Sequence, residues 1–196
     1  MSRALFVVDV QNDFTVRGAL GVVGGDEVAE RISRFLGAHA GDYEIIVASR
    51  DWHDRDNDNG GHFAGGGTGA DPDFVVTWPR HCVAGSPGAE YHPALDTSLI
   101  DVHVKKGQGR PAYSIFEGTT DEGAELIDLL DEKGVDAVHV VGIATDYCVL
   151  ASARDALDAG RDVTVLTDLV AGVAPDSSAA ALTELKAAGA HIQVAD

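Results

Sequence analysis

Cys148 lies in the stretch AVHVVGIATDYCVL, residues 137–150, where one pattern gives way to another. The apolar, β-branched run at 137–141 reads as a buried strand, and Gly142 follows it. Beyond Asp146 the apolar residues Val149, Leu150, Ala153 and Leu157 recur at helical spacing until Gly160. A thiol at that strand-to-helix turn meets the unsatisfied N–H groups of a helix start. Their partial positive charge lowers a thiol's pKa and can receive an oxyanion. The plainer reading is an ordinary buried cysteine. Asp9 ends the first apolar run and Lys106 follows the third. Taken singly, Asp9 reads as a structural acid bonding loop amides, and Lys106 as a surface lysine beside Lys105. Taken with Cys148, they supply a nucleophile, a base and a cation that tunes the base.

A second set of residues could hold a metal. Asp51-Trp52-His53 sets two donor side chains two residues apart, on one side of an extended chain. His62 and His81 lie in the same long stretch. One carboxylate with two or three imidazoles suits Zn²⁺, Fe²⁺ or Mn²⁺, and is too rich in nitrogen for Mg²⁺ or Ca²⁺. Spacing alone is a weak signal here, because loop histidines are often only solvated. His39, His92, His103, His139 and His191 fall outside this set and read as structural or exposed.

The elements that must position these groups follow from the apolar pattern. Runs at 4–9, 44–48, 100–104, 137–141 and 162–166 read as strands, with a short sixth at 191–194. Helical stripes cover 27–40, 122–133 (with Thr120 as cap), the segment after Asp146, and 177–188. This alternation predicts α/β architecture in one domain over 1–196. It is a doubly wound, mostly parallel six-stranded sheet with helices on both faces. Sites in such sheets lie beyond the carboxyl ends of the strands. Asp9, Asp51, Lys106 and Cys148 all fall just after predicted strands, so they should converge on one edge. Residues 49–93, rich in Gly, Asp, His and Trp, form a long loop of the kind that carries function, here the metal-site loop.

Charge narrows the partners. The net charge is −18, from 32 acids against 14 bases, which disfavours nucleic acid or an anionic membrane. No apolar stretch is long enough to span a bilayer, and MSRALFVVDV lacks the pattern of a leader, so a cytoplasmic setting is expected. There the two cysteines, Cys82 and Cys148, read as structural and catalytic rather than as a disulfide. A doubly wound nucleotide-binding module is disfavoured, since no Gly-x-Gly-x-x-Gly follows Asp9.

Several motifs together carry a resemblance. DVQNDF stands at 9–14, RDWH at 50–53, WPRHCVAGSPGAEYHP at 78–93, Lys106-Gly107, AYSIFEG at 112–118 and GIATDYCV at 142–149. With them the chain resembles the isochorismatase-like cysteine hydrolase superfamily, over nearly its whole length. DVQNDF and the cysteine turn are shared across the superfamily, whereas the metal-ligand residues, WPxHC and PGAEYHP are much more specific for the nicotinamidase and pyrazinamidase branch. The resemblance implies Asp9, Lys106 and Cys148 as catalytic triad, and an oxyanion hole from the amides of Ala144 and Cys148 after a cis peptide bond. It implies Asp51, His53 and His81 as ligands of one divalent transition metal (Zn, Fe or Mn). His62 matches a ligand of some members only. Phe14, Trp78, Tyr113 and Tyr147 match positions that wall a pyridine pocket. The expected activity is hydrolysis of nicotinamide, and of pyrazinamide, through a cysteine thioester. The expected partner is that small molecule, with a homo-oligomer left open. The rival is another amidase of the superfamily acting on a carbamoyl or ureido compound; such relatives generally lack the Asp-x-His pair. One departure is the segment GGHFAGGGTGADPDF around His62, where many members carry a shorter one with NHxSF.

Overall fold

The computed structural model of the protein describes residues 2–67 and 71–195. Residues 68–70 of the expected metal-site loop, and residues 1 and 196 of the expected domain, lie outside the described residues. The central strand is β1 (Ser2–Val8), between β2 (Ile45–Asp51) and β5 (Val135–Ile143). β3 (Val102–Lys106) extends the sheet beyond β2, and β6 (Asp162–Ala171) and β7 (His191–Gln193) extend it beyond β5. All these neighbours are parallel. The sheet has seven strands, not the expected six: β4 (Thr119–Thr120) pairs antiparallel with the outer side of β3. Two threonines are too short a run to leave a periodic signal in the sequence.

The continuous apolar runs arise because both faces of a parallel sheet are covered. Leu5 and Val7 point into one core with Val28, Ile32 and Leu36 of α1 (Gly25–His39). Phe6 and Val8 point into the other. There they meet α2 (Leu126–Glu132), α3 (Leu150–Asp158) and α4 (Pro175–Ala188) through Leu130, Ala153 and Leu185. Fully burying such a side chain contributes about 1.5–3 kcal/mol, so the central strands are a stiff platform for what their ends carry.

Three boundaries differ from expectation, each for a local reason. α2 starts at Leu126 rather than residue 122, because Gly123 adopts φ 84 and Thr120 Oγ1 accepts the Ala124 N–H at 3.1 Å, closing a turn. β2 and β3 run on to Asp51 and Lys106, so both charged residues end strands instead of following them. Cys148 does not open an α-helix: it sits in a π-helical turn, Thr145–Val149, that feeds α3. The Ile143–Ala144 peptide bond before that turn is cis. Both cysteines are free. Among the described residues, no helix is long and apolar enough to cross a membrane.

Candidate active site

Register brings the charged groups together. Val8 pairs with Gly142 across β1–β5, and Asp51 pairs with Lys106 across β2–β3. The residues just beyond these pairs therefore share the carboxyl edge of the sheet. Asp9 leaves β1 with φ 49, turning its carboxylate over that edge. Its Oδ1 accepts the Ser49 hydroxyl at 2.7 Å and its Oδ2 lies 2.8 Å from Lys106 Nζ. Lys106 is fully buried. Its ammonium also donates to Asp51 Oδ1, and lies 3.7 Å from Cys148 Sγ. The ammonium is thus flanked by two carboxylates and a sulfur. Oxygens of Asp9 and Asp51 and the sulfur lie within 4.8 Å of one another. The ammonium already holds this trio together, so it is not a second metal site.

The protonation states follow from burial. Burial pushes Asp9 up, and Lys106 only partly offsets it. Burial likewise pushes the Cys148 thiol well up, again opposed by Lys106. This corrects the expected lowering of the thiol by a helix start: desolvation of the anion outweighs it. Burial works against the charge on Lys106, but Asp51 and Asp9 prevail and hold its pKa well above the lysine range. The resting site is therefore a protonated thiol beside a carboxylate whose basicity burial has raised.

Asp51 faces two ways. Its Oδ2 lies 3.7 Å from His53 Nε2 and 3.8 Å from His81 Nε2. One ring nitrogen from each of His53, His62 and His81 falls within 4.8 Å of the others. His53 Nδ1 donates to the Gly107 carbonyl and His81 Nδ1 to the Pro79 carbonyl, both at 2.8 Å. Carbonyls only accept, so both Nε2 lone pairs are left facing Asp51. Gly107 allows the first contact: a Cβ there would meet the His53 ring at 2.5 Å. His53 Nε2 and both nitrogens of His62 are buried with no hydrogen-bond partner among the described residues. Such orphans call for a ligand. Burial pushes His62 down to about 3 and His81 to about 4, which keeps both imidazoles neutral, the form that binds metal. Burial alone would raise Asp51, but Lys106, His53 and His81 together hold it well below the carboxylate range. Three imidazoles and one carboxylate fit a divalent transition metal. His62→Ala should then weaken Zn²⁺ binding by more than the roughly 10–100-fold that changes around a ligand cost. Metal content after dialysis against a weak chelator reads this out, and unchanged content would remove His62 from the set.

A cavity of about 270 Å³ opens over Cys148 and Ala144. Phe14, Trp78, Tyr113 and Tyr147 all line it, with Asp51, His62 and His81 at one side. Trp78 Nε1 donates to Tyr113 Oη at 3.0 Å, and the Trp78 and Tyr147 rings meet edge-on with centroids 5.0 Å apart.

The family model described as "Isochorismatase domain" matches residues 3–196. The chain belongs to the isochorismatase family. It is 48% identical over 190 residues to the nicotinamidase/pyrazinamidase of Mycobacterium tuberculosis, covering 97% of each chain. Among solved structures it is similar to the pyrazinamidase of Pyrococcus horikoshii in complex with zinc. There the TM-score is 0.83 at 36% identity, with 100% of both chains covered. PnC1 from L. infantum, in complex with nicotinate, matches with TM-score 0.80 at 33% identity over 100% of this chain and 96% of that one.

This isochorismatase-family site also uses residues that sequence reasoning did not single out. Ser49 holds Asp9. Gln11, fully buried, donates to the carbonyls of Asp51 and Ala89 and accepts the Asp51 N–H, all within 2.9 Å. Asp146 accepts the N–H groups of Val173 and Ala174, at 2.9 and 3.2 Å, and the Ser177 hydroxyl. It ties the cysteine turn to the start of α4, which has no capping side chain of its own. Its position two residues before Cys148 was the available signal. Leu20, Val22, Phe74 and Val173 complete the cavity wall from loops that carry no periodicity.

Proposed function

We propose that the protein is a nicotinamidase, hydrolysing nicotinamide to nicotinate and ammonia, with pyrazinamide as a second substrate. The observation that carries this reading is the contact of one buried carboxylate, Asp51, with both the Lys106 ammonium and the three-histidine cluster, beneath an aromatic-walled cavity that ends at Cys148. The names of the similar proteins support it.

Asp9 takes the Cys148 proton, and the thiolate attacks the carboxamide carbon. The amides of Ala144 and Cys148 receive the developing oxyanion. Asp9 returns the proton to the nitrogen, the C–N bond breaks and ammonia leaves. A water then attacks the thioester, giving its proton to Asp9; the thiolate departs, takes that proton back, and nicotinate is released. Lys106 keeps Asp9 ionised at the start of each half-reaction, against the pull of burial. Phe14, Trp78, Tyr113 and Tyr147 hold the ring so that the carbon lies over the sulfur. Asp51, His53, His62 and His81 would hold the metal, which when bound supplies a Lewis-acidic contact for the ring nitrogen, directly or through water. Which of Zn, Fe or Mn serves is a matter for elemental analysis.

Incubation with nicotinamide should release one ammonia per nicotinate formed, read by a coupled ammonia assay with chromatography of the acid. N-carbamoyl and ureido compounds should give no ammonia above background. Ammonia from those compounds but none from nicotinamide would move the assignment to the rival amidase class.

A further inference from the structure

DVQNDF contains a second acid, Asp13, that the mechanism does not use. It sits in a single turn of 3-10 helix, Asn12–Phe14, and its carboxylate is spent on backbone. Oδ2 accepts the Cys82 N–H at 2.7 Å, and Oδ1 accepts the Ala19 N–H at 3.2 Å. Its carbonyl accepts the Leu20 N–H at 2.9 Å. Cys82 directly follows His81 and takes φ 45, a conformation side-chain-bearing residues avoid. Something must hold the chain there, and the Asp13 carboxylate is the partner of that amide. Phe14, next to Asp13, packs on the His81 ring with centroids 5.6 Å apart. Space for the carboxylate is reserved: a Cβ on Gly88 would meet Asp13 Oδ2 at 2.1 Å.

We propose that Asp13 is a positioning residue for His81. One carboxylate fixes the backbone just after that histidine and the turn carrying Ala19 and Leu20, which line the same cavity. The His81 ring is then set from both ends: Pro79 O takes Nδ1–H, and Asp13 anchors the following residue, leaving Nε2 aimed at Asp51. Charge matters as well as shape, because both carboxylate oxygens accept. An asparagine can satisfy one amide but turns an N–H toward the other.

This inference rests on the metal reading of the histidine cluster, and its test does not depend on turnover. Zn²⁺ affinity is measured by competition with a chromophoric chelator, well below the unfolding temperature. Asp13→Ala should weaken Zn²⁺ binding on the order of 10-fold, the low end of what partners behind a ligand contribute. Gly88→Ala, which displaces the carboxylate without removing it, should weaken it in the same direction. Asp13→Asn should fall between parent and Asp13→Ala, and remains informative if the alanine variant does not fold. In turnover, KM should rise more than kcat falls, since His81 orients rather than reacts. A merely structural acid would lower thermal stability and leave the affinity of the folded protein alone. Affinities of Asp13→Asn and Gly88→Ala within twofold of the parent would overturn the proposal. If the parent binds Zn²⁺ but releases no ammonia from nicotinamide, the functional reading fails while the role of Asp13 is still decided by the affinities.

Discussion

Cys148→Ala is expected to bring ammonia release down to background, a loss on the order of 10⁴–10⁶-fold. Cys82→Ala should keep most of the activity. Both thiols are buried, and burial pushes the pKa of both well up, so neither is a reactive thiolate by itself. What separates them is company. Cys148 lines the cavity, with the Lys106 ammonium 3.7 Å away and carboxylate oxygens of Asp9 and Asp51 within 4.8 Å of its sulfur. Cys82 is sealed from solvent, packed in the core with its sulfur 4.0 Å from the Gly88 carbonyl. A haloacetamide should therefore label Cys148 first, and nicotinate should protect it, with peptide mass spectrometry locating the label. Turnover in Cys148→Ala near that of the parent, or labelling confined to Cys82, would end the nucleophile assignment.

Lys106→Ala should be costly twice over. The ammonium sits between two buried carboxylates, so its loss leaves the Asp9 charge unpaired in a dry site. Breaking a buried pair in this way typically costs about 3–5 kcal/mol of stability. The rate should fall by at least the roughly 10²–10⁴-fold of a lost general base, because Asp9 without its cation takes up a proton and cannot accept another. Asp9→Asn should lose activity to a similar extent with a smaller stability cost. The double variant separates the two effects. Removing the Asp9 charge as well should return part of the stability lost in Lys106→Ala and none of the activity, a non-additivity expected of direct contacts. If Lys106→Ala melts and turns over like the parent, the pairing seen here does no chemical work.

Much of this site is legible in the sequence because of how a doubly wound sheet is built. Asp9 and Lys106 stand at the ends of apolar runs and Cys148 in the turn that follows one, and parallel strands put their carboxyl ends on one edge. The double role of Asp51 is not legible. It depends on Asp51 standing opposite Lys106 across β2–β3, and strands buried on both faces carry no alternation from which that register could be read. His62 gives a weak signal because it sits in a glycine-rich stretch without periodicity, and its orphaned nitrogens in three dimensions mark it out. Phe74 and Val173 reach the cavity from loops and are placed by hydrogen bonds, to Tyr147 and Asp146, that no spacing encodes. The raised thiol pKa was missed because helix-start electrostatics is a local rule, whereas desolvation depends on the whole fold packed around the turn.

The central place of β1 has a consequence for how the molecule comes into being. β1 emerges first from the ribosome, yet Ala4 needs Ile45 on one side and Val138 on the other. At about 5–20 residues per second, β5 follows β2 by several seconds. During that interval one edge of a strand buried on both faces stands open, and contacts of such long sequence separation slow the final closure. The acid and the ammonium can meet as soon as β3 is made, while the thiol arrives only after β5 has sealed the sheet. Synthesis order thus delivers the thiol after the acid and the ammonium, and the β6–α4 segment with Val173 completes the wall around it only afterwards.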